Sequence, residues 1–160
     1  MPCAVSGILV AFCLRNMDFA GACLALPEII AAAGCIVSPG FVDAHCHIGI
    51  LEEATRWEGN DTNEYSSPVT PEIRAIDGIN PMDEAFGNAI GGGVTTAVTG
   101  PGSAYVLGGA FVAMKLYGDC SDDMILKYPA ARKCAFGEIP KGAYGQNGRK
   151  APVTRMAWYT

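Results

Sequence analysis

The run Val94-Thr95-Thr96-Ala97-Val98-Thr99 constrains this chain more than any other. Branching at Cβ is awkward in a helix and packs well on a pleated surface, so an almost unbroken β-branched run specifies a strand, and one covered on both faces. Its flanks agree. Gly91-Gly92-Gly93 stops the preceding helix, and Gly100-Pro101-Gly102-Ser103 ends the strand in a turn. The preceding segment carries Ala85, Phe86, Ala89 and Ile90 on one helical face. Asn80-Pro81-Met82-Asp83 opens it with a capping side chain, a proline at the first helical position and an early carboxylate.

The same reasoning marks the other elements. Cys35-Ile36-Val37 is a short β-branched run, Ser38-Pro39-Gly40 is a turn, and Phe41 to His47 is a second short strand. Leu51 to Asn80 is polar and loop-like, with a further helix start at Thr70-Pro71-Glu72. Beyond the central strand, Ala110 to Leu116 is apolar, Ser121-Asp122-Asp123 caps a helix over Met124 to Leu126, and Lys133 to Phe136 forms a strand ending at Gly137-Glu138. Strand, helix, strand in this order is the grammar of parallel α/β units. Met1 to Ala33 has only Arg15, Asp18 and Glu28 charged and shows no period of 2 or 3.6, and the chain after Pro140 is rich in Gly, Lys and Arg with no closing element.

Composition narrows the function. Half of the 160 residues are apolar, enough for one folded core. A net charge of -5 without any Lys/Arg cluster removes the long-range attraction to phosphates that nucleic-acid binding depends on. The apolar run Gly7 to Leu14 falls well short of the roughly 20 residues that cross a bilayer, and no charge precedes it as a secretory signal requires. No membrane segment and a cytoplasmic location are therefore expected. Seven cysteines, an odd number without any C-x-x-C pair, fit free thiols in a reducing compartment.

The chain has two histidines, His45 and His47. In a strand, residues i and i+2 share a face, so both imidazoles project together with Asp43 one step earlier, while Cys46 faces the other way. Such a pair at the end of a strand makes half of a divalent metal site, or an ordinary hydrogen-bonded pair.

The context Ser38-Pro39-Gly40-Phe41-Val42-Asp43-Ala44-His45-Cys46-His47 resembles the P-G-F-[VI]-D-x-H-x-H signature on the first barrel strand of the metal-dependent amidohydrolase superfamily. Gly93 to Ser103 is similar to the second barrel strand and its loop in imidazolonepropionase- and dihydroorotase-like members. The resemblance runs from about Gly34 to Phe136. It implies an α/β fold, part of a TIM (β/α)8 barrel beside a small β-sandwich, and hydrolysis of non-peptide C–N bonds in a small cyclic amide or related substrate. It also implies a divalent metal, zinc foremost with Mn, Fe or Ni as alternatives, held by His45 and His47. Glu138, at the end of a third strand, matches a metal-binding glutamate of some branches, or is a solvated loop carboxylate. In intact enzymes the metal acidifies a bound water, and an aspartate of the eighth strand takes its proton.

A TIM barrel takes about 250 residues, so the residues after Gly40 leave room for about three βα units. The expected organisation is a β-sandwich remnant at 1–38 and a truncated barrel at 39–160. The later histidine ligands and the final aspartate have no counterpart, so no residue is assigned as catalytic and hydrolysis by this chain alone is not expected. An unpaired sheet edge predicts association with a complementary chain, a second copy, or aggregation. A non-catalytic metal-binding or assembly piece is the alternative function, and a stand-alone α/β domain with an incidental H-x-H is the third.

Overall fold

A computed structural model describes residues 33–146 and 151–158. They belong almost entirely to a compact unit, Gly40–Thr160; the other unit, Met1–Pro39, and with it the β-sandwich expected at 1–38, lies largely outside the described residues. Cys35-Ile36-Val37, expected as a strand, takes no regular structure.

Four strands form one sheet in the order β1-β2-β3-β4: β1 Phe41–Cys46, β2 Val94–Thr99, β3 Leu107–Lys115 and β4 Ile125–Cys134. Helix α1, Glu84–Gly91, bridges β1 and β2, while single turns α2, Ser121–Met124, and α3, Glu138–Lys141, flank β4. The α/β class expected from sequence is therefore present. β1 and β2 pair in parallel, with Phe41 opposite Val94 and Cys46 opposite Thr99. The parallel order stops there, because β2–β3 and β3–β4 are antiparallel. Length explains the correction. A parallel return needs a crossover of about a dozen residues or more, and the links at 100–106 and 116–124 are shorter than that.

β2 has the bounds its β-branching specifies, although its burial is uneven. Ala97 and Thr99 are buried, Val94, Thr96 and Val98 are half-covered, and Thr95 is exposed. The buried face joins Val112 and Met114 of β3, Phe86 of α1, Met124 of α2 and Ile50, Ala75 and Ile79 of the intervening loop in the core.

Local signals placed the body of α1 and misplaced its start. Asn80 Oδ1 accepts from the Met82 N–H at 3.0 Å, closing a turn on itself, and the helix begins only after Asp83. Asp83 Oδ1 accepts from the N–H of Ala85 at 3.2 Å and from that of Glu53 at 3.0 Å, so one carboxylate caps α1 and anchors the loop behind β1. Gly93, with φ of 87°, turns the chain out of the helix into β2. Asp83→Ala is expected to cost about 1–2 kcal/mol, read as a lower urea midpoint at unchanged slope, with Asp83→Asn costing markedly less because it keeps the accepting oxygen.

Two further expectations fail for tertiary reasons. Thr70-Pro71-Glu72 starts no helix, because this backbone pairs with β3 instead: the Thr70 N–H donates to Leu107 O at 2.8 Å and the Ala110 N–H to Ile73 O at 3.0 Å. Only a 3-10 turn, Ala75–Asp77, follows. The strand expected at Lys133–Phe136 is the end of β4, which starts at Ile125, where a helix over Met124 to Leu126 was expected. Pro129 disguises the run, and it is tolerated because β4 is an edge strand.

Candidate metal centre

The parallel pair β1–β2 brings the ends of both strands together, and the two histidines lie there. His45 is in β1 and exposed; His47 is the first residue beyond it and half-buried. Their ring centroids are 5.4 Å apart with planes at 75°, so the pair expected from the H-x-H spacing is formed. Asp43 Oδ1 accepts from the His45 backbone N–H at 3.1 Å. Cys46 faces away, its Sγ 3.8 Å from Val98 O, and burial pushes its thiol up, which keeps it protonated.

Each imidazole is held from a different strand. His47 Nδ1 lies 2.6 Å from Gly100 O, just past β2. A carbonyl only accepts, so Nδ1 donates, and in the neutral ring the lone pair then sits on Nε2, the arrangement that orients a ligating histidine. His45 stacks at 5.5 Å on the ring of Phe111 from β3, and its Nε2 lies 3.4 Å from Lys133 Nζ of β4. Lys133 Nζ is also 5.9 Å from the Phe111 ring centroid, and burial lowers the Lys133 pKa. The ring reaches this position because residue 100 has no side chain: a Cβ there would lie 2.2 Å from Phe111 Cγ.

Glu52 and Glu53 line a hollow together with His47, and each has one carboxylate oxygen tied by an amide, from Asn80 at 3.1 Å and from Asn88 at 2.6 Å. Glu138 is elsewhere. It is exposed at the start of α3 and lines a separate hollow with Lys141 and Gln146, because β4 already ends at Cys134. Among the described residues no group of three or more His, Cys, Asp or Glu is gathered as a metal site, so Glu138 does not join the pair. Phe111 and Lys133 are the neighbours that sequence reading missed; the signal that could have found them is the short links at 100–106 and 116–124, which return β3 and β4 antiparallel beside β2.

No family model matches the chain. It is 35% identical over 139 residues to the amidohydrolase tasK of Hapsidospora irregularis, a match covering 80% of this chain and 14% of that protein. It also superposes on a crystal structure of an amidohydrolase from Thermotoga maritima with a TM-score of 0.78 and 39% identity, over 96% of this chain. The chain is a segment of the amidohydrolase superfamily. It spans 38% of the Thermotoga amidohydrolase chain. The resemblance read from the P-G-F-V-D-A-H-C-H motif therefore holds. Among the described residues no helix is long and apolar enough to cross a membrane.

Proposed function

We propose that this amidohydrolase segment supplies the metal-binding first strand of a hydrolase that cleaves non-peptide C–N bonds in a small cyclic amide or related molecule. The observation that carries this reading is the hydrogen bond of His47 Nδ1 to Gly100 O, which leaves Nε2 as the ligand atom 53 residues away in sequence from the carbonyl that aims it. The donor set fits a divalent ion of zinc type: two imidazoles on alternate positions at one strand end, one of them already in the ligating tautomer. Bound zinc would supply a Lewis acid and an acidified water. The chain's own residues hold and orient: Gly100 and Phe111 set the two rings, and Glu52 and Glu53 give the adjoining hollow a polar wall.

We read β1, α1 and β2 as the first repeat of a (β/α)8 barrel. A second reading, an assembly piece completed by another polypeptide, is favoured by the outer edge of β1, which no strand among the described residues covers and where Phe41 and Val42 are 64% and 65% exposed. Partner-dependent hydrolysis separates the two. The free thiols of Cys35, Cys46, Cys120 and Cys134 suit a cytoplasmic protein, and the acidic charge argues for a small-molecule substrate rather than nucleic acid.

The direct experiment is metal content per chain, by plasma mass spectrometry on the monodisperse fraction. About one zinc per chain is expected, lost in His45→Ala/His47→Ala. An unchanged zinc content in the double variant sinks the assignment of the pair.

A further inference from the structure

We propose that Lys133 is a positioning residue of the metal centre: its ammonium occupies the lone pair of His45 Nε2, presets the ring for ligation, and must be displaced when a metal arrives. The inference rests on the metal-binding reading of the histidine pair and adds a residue that no sequence motif marks.

The geometry is simple. Lys133 Nζ lies 3.4 Å from His45 Nε2, across 88 residues of sequence. An ammonium has hydrogens and no lone pair, so it can only donate, and Nε2 must accept. His45 then carries its proton on Nδ1, with the lone pair on Nε2, as His47 does through Gly100 O. Both imidazoles are thereby held in the same tautomer by different neighbours.

Among the described residues no carboxylate answers the Lys133 charge. The ion pair among the described residues is Arg74 with Asp77, and the polar contact of Lys133 is His45. Its other neighbour is the Phe111 face, 5.9 Å away, a weak electrostatic partner at that distance. A half-buried ammonium without a counter-ion loses hydration for little return, and this one spends its hydrogen-bonding capacity on the atom a metal would use. The cation also repels a divalent ion approaching the same atom. Lys133 therefore prepares the ligand and weakens the metal, and removing its charge tightens binding.

The test compares wild type with Lys133→Met, which deletes both charge and donor at similar length, and with Lys133→Arg, which keeps both. Zinc affinity is measured by competition with a chromophoric chelator, and the His45 tautomer in metal-free protein by long-range proton–nitrogen NMR. Lys133→Met is expected to bind zinc about tenfold more tightly, within the range typical of groups that orient a ligand, and to lose the single His45 tautomer. Lys133→Arg should resemble wild type. A urea unfolding curve for each variant separates misfolding from a site effect. An unchanged or weaker zinc affinity in Lys133→Met overturns the proposal, the weaker case making Lys133 part of what holds the metal. An unchanged His45 tautomer also overturns it. Should zinc bind equally well to His45→Ala/His47→Ala, the histidine reading fails while the tautomer measurement still decides the Lys133–His45 contact.

Discussion

Gly100→Ala is expected to destabilise the unit Gly40–Thr160 by about 3 kcal/mol, the upper part of the range for overpacking a tight site. The added Cβ would lie 2.2 Å from both Cγ and Cδ1 of Phe111. Cγ is only one bond from Cβ, so the ring cannot swing its far end away; β3 itself would have to move. Phe111 is 4% exposed and sits in the central, most buried part of β3, between β2 and β4, where little movement is available. Function should suffer too, because Gly100 O orients His47 and Phe111 supports His45. Equilibrium urea unfolding checks the first effect and zinc affinity the second. Gly100→Ala/Phe111→Ala should then be less destabilised than the sum of its two single variants, since the clash is gone once the ring is removed. A wild-type midpoint for Gly100→Ala would mean that the two strands are not packed as described.

Phe86→Ala is expected to cost about 3–5 kcal/mol, the usual range for emptying an aromatic position in a core. The side chain is 4% exposed and is the buried residue of α1, in one core cluster with Ile50, Ala97, Val112 and Met114. Its ring also closes against the turn that follows His47: a Cβ on Gly49 would lie 3.0 Å from Phe86 Cζ. Loss of the ring therefore leaves a void and frees the segment 47–50, so weaker zinc binding should accompany the lower urea midpoint. Phe86→Leu refills part of the space and should recover part of both losses. A cost below about 1 kcal/mol would place Phe86 outside the core.

The elements readable in advance were those whose cause is local. β2 follows from β-branching between glycines, the body of α1 from its apolar face and terminal glycines, and the pairing of His45 with His47 from the two-residue period of a strand. Elements that failed were decided by backbone partners far along the chain. Thr70-Pro71-Glu72 has a good helix signal, yet its neighbours bond to Leu107 and Ala110, and a hydrogen-bonded ladder outweighs a weak local preference. Asn80 likewise satisfied its own turn and ceded the cap to Asp83.

By itself the sequence determined that this is an α/β chain of amidohydrolase kind with two histidines on one strand end. Only the tertiary structure decided that β3 and β4 fold back antiparallel, that Glu138 lies apart from the pair, and that Phe111 and Lys133 surround His45. The reason is physical: strand periodicity and capping act over a few residues, whereas the environment of a side chain is set by which strands lie side by side, and that depends on loop length and the packing of the whole sheet.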